Sequence, residues 1–252
     1  DISSDKYEIV HASDVIGMAE SPIRAFTQKL HSSIAIGYHL LMDKKISAFA
    51  SAGNTGAMLV GAMYSVKTIP GVIRPCLTAI LPKESGKVGV LLDVGANADC
   101  KPDVLYQFGI LGSLYAEHVY GIKNPKVALM NLGEESGKGN LVSQATHEIM
   151  KTTKQFHFIG NVEGNDLFNA KADVVVCEGF VGNVIIKQAE SFFDIMSRRH
   201  MLDSFFLRFN YEIYGGSSIL GVNAAVVVGH GKSNEVAIKN MIMLAKNVAE
   251  TK

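Results

Sequence analysis

Apolar and polar positions follow one arrangement that recurs along the chain: a short apolar run, then a turn rich in glycine and asparagine, then a stretch with helical periodicity. The arrangement occurs in six places, most clearly in the first three: 46–66, 88–116, 172–193, 126–139, 156–166 and 223–250. The apolar runs have four to six residues without alternation, which is typical of strands covered on both faces, and the helical stretches suit parallel crossovers. The pattern predicts an α/β fold in one domain over 1–252, with an open, mostly parallel, doubly wound sheet and helices on both faces.

The turns between these strands and helices are the first candidates for a binding site. In doubly wound sheets, ligands bind beyond the carboxyl ends of the strands, so we expect the turns to lie along one edge of the sheet. Glycine lets the backbone approach a ligand, and the free N–H groups at the start of the next helix favour an anion. Any single turn has a purely conformational explanation, but their number favours a cleft for a phosphate-bearing or acyl-bearing substrate.

Composition excludes several classes of protein. Twenty-four basic residues balance twenty-four acidic ones, so we expect no nucleic-acid partner. The three cysteines are far apart and lack C-x-x-C spacing, which favours reduced thiols in a cytoplasmic protein. The apolar runs are shorter than the roughly 20 residues that a membrane span needs, so we expect a soluble protein.

The common catalytic motifs are absent from the sequence. "GEESGKG" (133–139) has one residue too few between its glycines for a P-loop, and "GHGKSN" (229–234) lacks the third glycine of a dinucleotide fingerprint. There is no G-x-S-x-G motif, and the eight histidines have no metal-ligand spacing. We therefore expect no metal and no nicotinamide cofactor. His230, in a glycine-flanked turn after an apolar run, is a candidate site residue or a residue that stabilises the turn.

Eight segments, read together and in order, resemble the PlsX-type phosphate acyltransferases of bacterial phospholipid synthesis. They are "SAGNTGAML" (51–59), "RPCLTAILP" (74–82), "LLDVGANADCKPDVLYQFGILGSLYA" (91–116), "MNLGEESGKG" (130–139), "GNVEGND" (160–166), "VVVCEGFVGNVIIK" (174–187), "YGGSSILGVN" (214–223) and "HGKSNEVAIKNMI" (230–242). The resemblance covers nearly all of the chain.

The resemblance implies an enzyme that moves a fatty acyl group from the thioester of acyl carrier protein to inorganic phosphate, giving acyl phosphate and free carrier protein. It also implies a fold similar to that of phosphotransacetylase and isocitrate dehydrogenase, a homodimer and no cofactor. Acyl phosphate is an apolar product, so the resemblance further implies peripheral membrane contact and transfer of the product to a membrane glycerol-3-phosphate acyltransferase. Phosphate is already an anionic nucleophile, so such an enzyme can act by positioning it and by stabilising the thioester oxyanion.

Four residues are predicted to be catalytic in such a site. Asn54 supplies donors at a helix start, next to Thr55 and Gly56. Arg74 and Lys187 are the cations expected nearest to phosphate, although a lone cation commonly forms a surface ion pair instead. Asp93 is expected to brace the site, because a carboxylate repels phosphate; a simple helix N-cap is the alternative.

The other predicted substrate-binding residues lie in the glycine, asparagine and acidic turns. They are Asn97, Asn131, Gly133, Asn161, Glu163, Glu178, Gly179, Gly182, Asn183, Gly215, Gly216, Asn223 and His230. In "VVVCEGFVGNVIIKQAE" (174–190), Gly179 and Gly182 are expected to allow close backbone approach, Asn183 to donate a hydrogen bond, and Glu178 to organise the turn.

A helical excursion is expected near 190–210. Leu202, Phe205, Phe206 and Phe209 follow an i, i+3, i+4, i+7 spacing, which predicts one apolar helical face close to Arg208 and to the arginines at 198 and 199. This face suits packing against the core or a second subunit. Peripheral contact with an anionic membrane is the other interpretation.

Two features depart from the family pattern. The chain begins near "YEIVHASDVIGM" (7–18), whereas family members usually open with an earlier strand and acidic turn, so we expect part of the cleft to lie outside it. The connection at 197–204 is shorter than the family's usual helical excursion. Two other functions remain open: a phosphotransacetylase-like enzyme that uses acyl-coenzyme A, and a non-catalytic module that binds acyl carrier protein.

Overall fold

The computed structural model describes residues 6–251, in which eight strands form one mixed sheet of order β1-β8-β7-β2-β3-β6-β4-β5. The strands are β1 (Ala48–Ser51), β2 (Cys76–Pro82), β3 (Val88–Leu92), β4 (Lys126–Met130), β5 (His157–Val162), β6 (Val174–Val176), β7 (Ser217–Leu220) and β8 (Ala225–Val228). The helices are α1 (Pro22–Gln28), α2 (Ser33–Met42), α3 (Thr55–Gly61, continued by a π-helical turn at Ala62–Val66), α4 (Pro102–Tyr120), α5 (Leu141–Lys151), α6 (Gly179–Arg198) and α7 (Glu235–Glu250). Within residues 6–251, no helix combines the length and the apolar composition that crossing a bilayer requires.

Helices cover both faces of the sheet, as the continuous apolar runs predicted. Along β3, Val90 and Leu92 pack with Phe108 of α4 on one face, whereas Leu91 packs with Ile186 of α6 on the other. Most neighbouring strands are parallel: β1 with β8, β3 with β6, and β4 with both β5 and β6. The predicted α/β class with a mostly parallel sheet is confirmed.

Three predicted strand-turn-helix units are present: β1 with α3, β3 with α4, and β6 with α6. Local chemistry fixes where the helices begin. Asn54 caps α3 by accepting the N–H of Ala57 at 3.0 Å, and Glu178 caps α6 by accepting the N–H of Val181 at 3.1 Å. Pro102 opens α4, where its missing N–H costs no helical hydrogen bond.

The expectation that all the turns lie on one edge of the sheet is wrong. Strand β2 is antiparallel to β3 and to β7, and β7 is antiparallel to β8. As a result β1 and β8 run opposite to β3, β6, β4 and β5, and their turns point the other way. The glycine and asparagine turns carry no information about strand direction.

The stagger of β2 nevertheless brings turns from both directions to one place. Its first two residues, Cys76 and Leu77, pair with β7, and the remaining five pair with β3. The last residue of β8, Val228, pairs with Ser217 of β7. Two residues further along β7, Ile219 pairs with Leu77 of β2. The turn after β8 therefore starts halfway along β2 rather than beyond its end.

The predicted apolar helix over 202–209 is also wrong. After α6, residues 203–214, here called the strap, contain two short 3₁₀ turns, Phe206–Phe209 and Tyr211–Ile213. Asp203 starts the first turn by accepting the N–H groups of Phe205 and Phe206 at 2.9 and 2.8 Å. Arg208 donates to the backbone carbonyls of Lys83, at 2.7 Å, and Lys87. The strap is thereby fixed to the β2–β3 connection.

A buried lysine follows β2. Lys83 is 3% exposed, and its Nζ donates to the carbonyl oxygen of Leu167 at 2.7 Å. Burial lowers the pKa of the Lys83 ammonium to about 8, against the opposing effects of Asp173 and Asp166. An unfolded lysine has a pKa of about 10.4. Between these values the unfolded chain binds more protons than the folded one, so Lys83 makes the free energy of unfolding rise with pH.

We predict that Lys83→Met removes this part of the pH dependence. Between pH 7 and pH 9.5, the free energy of unfolding should rise more for the unmodified protein than for the variant, as measured by urea denaturation. Lys87→Met is the matched control, because Lys87 is exposed in the same connection. Equal pH responses of the unmodified protein and Lys83→Met would contradict the prediction.

Candidate functional site

A cavity of about 490 Å³ lies over β2, within the roughly 300–1,000 Å³ typical of ligand sites. Because side chains alternate along a strand, Leu77, Ala79 and Leu81 share one face of β2, and all three line the cavity. Helix α6 forms one side of the cavity, and the turn after β8 together with the start of α3 forms the opposite side. The strap contributes to one end.

The cavity brings together six of the residues predicted from the sequence. They are Thr55, Asn183, Lys187, Gly215, Gly216 and His230. These residues lie on α3, α6, the segment before β7 and the turn after β8, so the site is assembled from parts of the chain that are far apart in sequence.

Lys187 and Asn183 are one helical turn apart on α6 and face the cavity together. The Nζ of Lys187 lies 2.7 Å from the carboxylate of Glu190, which also lines the cavity. Asn183 packs against Gly95, where a Cβ would lie 3.2 Å from its Nδ2. The two side chains give this wall an ammonium and an amide that can both donate to an anion.

His230 lies in the turn after β8, across the cavity from α6. Its Nδ1 accepts the backbone N–H of Lys232 at 3.2 Å, and its ring packs on Tyr211, with ring centroids 4.5 Å apart. Because Nδ1 accepts a hydrogen bond, the single N–H of a neutral His230 ring is at Nε2. His230 can therefore donate one hydrogen bond from Nε2.

Asn54 does not line the cavity, contrary to the prediction that it donates to a ligand. Its side chain is buried, with Oδ1 on the N–H of Ala57 and Nδ2 donating to the carbonyls of Gly17, at 3.0 Å, and Met18, at 3.2 Å. All its hydrogen-bonding capacity is used in fixing the start of α3 to the preceding segment. Gly56 likewise serves packing, because a Cβ there would collide with Pro22.

Arg74 also lies outside the cavity. It is exposed, and its Nη1 donates to the backbone carbonyl of Asp99 at 3.1 Å. Of the two cations predicted nearest to phosphate, the structure brings Lys187 to the cavity and leaves Arg74 on the surface. Proximity to a glycine turn in the sequence did not indicate the direction of the Arg74 side chain.

Asp93 is completely buried directly after β3, and its carboxylate accepts four N–H groups. Oδ1 accepts the backbone N–H of Leu77 at 2.8 Å and of Ala96 at 3.2 Å; Oδ2 accepts the backbone N–H and the Nδ2 of Asn97, at 2.6 and 3.0 Å. Burial raises the pKa of Asp93, and the four hydrogen bonds act against that increase. Lys101 is the N-cap of α4, so the alternative that Asp93 caps this helix does not hold.

Gly179 and Gly182 let α6 pack closely on the Asp93 turn. A Cβ on Gly179 would lie 2.6 Å from the carbonyl oxygen of Asn97, and a Cβ on Gly182 would collide with the carbonyl of Asp93. The close backbone approach expected of these glycines is thus made to the protein rather than to a ligand. Glu178 lies in the same turn and caps α6.

Five other predicted residues stabilise loops away from the cavity. Asn131 donates to the carbonyl of Lys138, and Gly133 lies against the Lys138 side chain. Asn161 is buried between the His147 ring and the carbonyl of Glu135. The last two are Glu163, which pairs with Asp166 in a capping box, and Asn223, which donates to the carbonyls of Val66, Lys67 and Thr68.

Several residues of the cavity were not predicted. Phe168 and Phe209 meet edge to face at one end, with ring centroids 5.0 Å apart, although they are 41 positions apart in the sequence (209 minus 168). The three floor residues Leu77, Ala79 and Leu81 fall in "RPCLTAILP", an almost continuously apolar run in which no hydropathy pattern distinguishes one face of the strand from the other.

We predict that Asp93→Asn lowers the free energy of unfolding by about 1–3 kcal/mol, because one amide NH₂ would then face N–H donors that the carboxylate now satisfies. Urea denaturation measures the effect. Asp99→Asn is the matched control, since Asp99 is exposed in the same turn and should change stability by less than about 0.5 kcal/mol. Equal effects of the two substitutions would contradict the prediction.

Comparison with known proteins gives a consistent result. The family model described as "Fatty acid synthesis protein" matches residues 2–201 and 195–252, so the two parts of the match overlap across the end of α6. The phosphate acyltransferase of Dictyoglomus turgidum is 41% identical over 267 aligned residues, covering 98% of this chain and 80% of the relative. The phosphate acyltransferase of Desulforamulus reducens is 44% identical over 260 residues, covering 96% and 78%.

Solved structures support the fold. A branched-chain phosphotransacylase from Enterococcus faecalis superposes with a TM-score of 0.62 at 16% identity, covering 87% of this chain and 80% of that one. A phosphotransacetylase from Streptococcus pyogenes gives a TM-score of 0.61 at 19% identity, covering 84% and 66%. These likenesses concern the fold alone. The sequence matches extend over nearly the whole chain, and the chain accordingly belongs to the phosphate acyltransferase family.

Proposed function

We propose that this chain transfers a fatty acyl group from the thioester of acyl carrier protein to inorganic phosphate, forming acyl phosphate for phospholipid synthesis. The observation that carries the proposal is the division of the cavity into a polar part and an apolar floor. Asn183, Lys187 and His230 suit an anionic nucleophile, whereas Leu77, Ala79 and Leu81 suit the chain of a fatty acid. Membership of the phosphate acyltransferase family supports the transfer of an acyl group to phosphate.

In the proposed reaction, a phosphate oxygen attacks the thioester carbonyl carbon directly. The C–O bond forms, the carbonyl becomes a tetrahedral oxyanion, and the C–S bond then breaks to release the carrier-protein thiolate, which takes up the proton that the attacking hydrogen phosphate gives up. Lys187 and Asn183 attract and orient phosphate. On the opposite side of the cavity, Nε2–H of His230 donates a hydrogen bond that stabilises the oxyanion.

The state of the cysteines supports direct attack by phosphate rather than an acyl-cysteine intermediate. Cys76 and Cys177 are buried, and burial, reinforced by nearby Asp93, raises the pKa of both thiols well above the usual range. Burial also raises the pKa of Cys100 to about 12. Near neutral pH these groups are thiols, which are poor nucleophiles.

The proposed assembly is a cytoplasmic homodimer that binds acyl carrier protein, contacts the membrane peripherally and passes acyl phosphate to a membrane glycerol-3-phosphate acyltransferase. Helix α6 supports such contacts, because Phe180, Val184 and Phe192 are exposed large apolar residues along it. Arg208 is not part of the proposed lipid contact, since its guanidinium is engaged by the carbonyls of Lys83 and Lys87.

One alternative function is that of an enzyme that uses short-chain acyl-coenzyme A. Assays of thiol release and of acyl phosphate, trapped as hydroxamate, separate the possibilities. Phosphate-dependent turnover of palmitoyl carrier protein supports the proposal. Turnover of acetyl-coenzyme A but not of palmitoyl carrier protein supports the alternative, and stoichiometric binding without turnover supports a carrier-protein binding module.

We predict that Lys187→Ala raises the KM for phosphate about 10- to 100-fold, because a charge-assisted hydrogen bond contributes about 1.5–3 kcal/mol. Steady-state kinetics at varied phosphate and saturating palmitoyl carrier protein give this value. Lys151→Ala is the matched control, since Lys151 forms a comparable helical pair with Glu148 on α5 and does not line the cavity. An unchanged phosphate KM in Lys187→Ala would refute the assigned role of this lysine.

A further inference from the structure

The cavity has chemically different ends. Near the start of β2 it is bordered by Val94 and Gly95, with Asn183 beside Gly95. Near the end of β2 it is bordered by Phe168 and Phe209, whose rings meet edge to face at a centroid distance of 5.0 Å. We propose that these two rings form the end wall of an acyl-chain slot and set the longest chain that the enzyme accepts. The inference rests on the proposed function and names the part of the substrate that this end of the site receives.

The floor of the slot is apolar along its length. Leu77, Ala79 and Leu81 present their side chains to the cavity, and the distance from the first to the third is about 13 Å at roughly 3.3 Å per residue. Ile186 of α6 adds a further apolar surface. Ala79 contributes only a methyl group to the middle of this floor.

The end wall is close to the last residue of β2 and is fixed on both sides. The carbonyl of Phe168 accepts the N–H of Glu84 at 2.9 Å, and the preceding carbonyl, that of Leu167, accepts Nζ of Lys83 at 2.7 Å. Phe209 follows Arg208, which donates to the carbonyl of Lys83 at 2.7 Å. Both rings are thus anchored to the same short connection after β2.

Ring packing within the strap further restricts Phe209. Its centroid lies 5.3 Å from that of Phe205 and 6.0 Å from that of Phe206, and such aromatic pairs contribute beyond their buried area. A longer acyl chain would have to displace a ring that is held by three others. The wall therefore acts as a fixed stop rather than as a flexible cover.

The charge of Arg208, which lines the cavity next to Phe209, is already compensated. Its guanidinium donates to two backbone carbonyls. An apolar chain that enters the slot therefore removes no unpaired charge from water, a step that would oppose binding.

The test compares kcat/KM for carrier proteins loaded with acyl chains of increasing length, from lauroyl to stearoyl, in the presence of phosphate. Phe209→Ala should raise the stearoyl-to-lauroyl ratio about tenfold or more, because an apolar pocket discriminates about 10- to 200-fold for each methylene that it excludes. Ala79→Leu should lower the same ratio by obstructing the middle of the slot. Leu207→Ala is the matched control, since Leu207 is an exposed apolar residue of the strap that does not line the cavity.

Unchanged ratios in both Phe209→Ala and Ala79→Leu, or a change in Leu207→Ala equal to that in Phe209→Ala, would overturn the inference. If Phe209→Ala does not fold, Ala79→Leu decides the question alone. If the unmodified protein releases no carrier protein with any chain length, the proposed function is wrong. Binding of free fatty acids of the same lengths, measured by displacement of a fluorescent fatty acid, then tests the slot separately: a shifted length preference in the variants supports it, and unshifted preferences overturn it.

Discussion

The geometry of the candidate site depends on the buried carboxylate of Asp93. Removing a carboxylate from water costs several kcal/mol unless hydrogen bonds replace those to solvent, and here four N–H groups do so. One of them belongs to Leu77, the first floor residue of the cavity, and the others belong to the turn that contains Gly95. The backbone around Asp93 also receives Gly179 and Gly182, and so sets the position of α6. A side chain that does not line the cavity thus fixes the spacing between its floor and one wall.

Much of the fold is encoded locally and could be predicted. The units β1–α3, β3–α4 and β6–α6 follow from continuous apolar runs, from capping residues such as Asn54 and Glu178, and from the proline that opens α4. Strand direction is different, because it depends on pairing between distant segments, such as Cys76 with Leu220. The antiparallel strands β2 and β7 left no equivalent signal in the turns, and the expected single edge was wrong for that reason.

The candidate site was predictable to a similar, partial degree. Lys187, Asn183 and His230 reach the cavity because helical spacing and a short turn after a strand fix their directions. Asn54 and Gly182 are residue types that suit a binding turn. In the structure, however, the Asn54 side chain bonds to backbone carbonyls, and the space beside Gly182 is filled by the Asp93 backbone. These contacts join distant parts of the chain, so the sequence alone does not reveal them. Phe168 and Phe209 belong to separate irregular segments, so no local pattern connects them.

The strap and the first half of α6 contribute to different parts of the cavity. The strap follows the short connection at 199–202, close to the overlap of the two parts of the family match, and it contributes Phe209 to one end of the cavity, whereas Asn183 and Lys187 lie earlier on α6. Insertions or deletions in that connection would shift the strap while the Asp93 turn and the first half of α6 stayed in place. Evolution can therefore change the depth of this cavity by altering loop length, without a substitution among the residues that face its polar part.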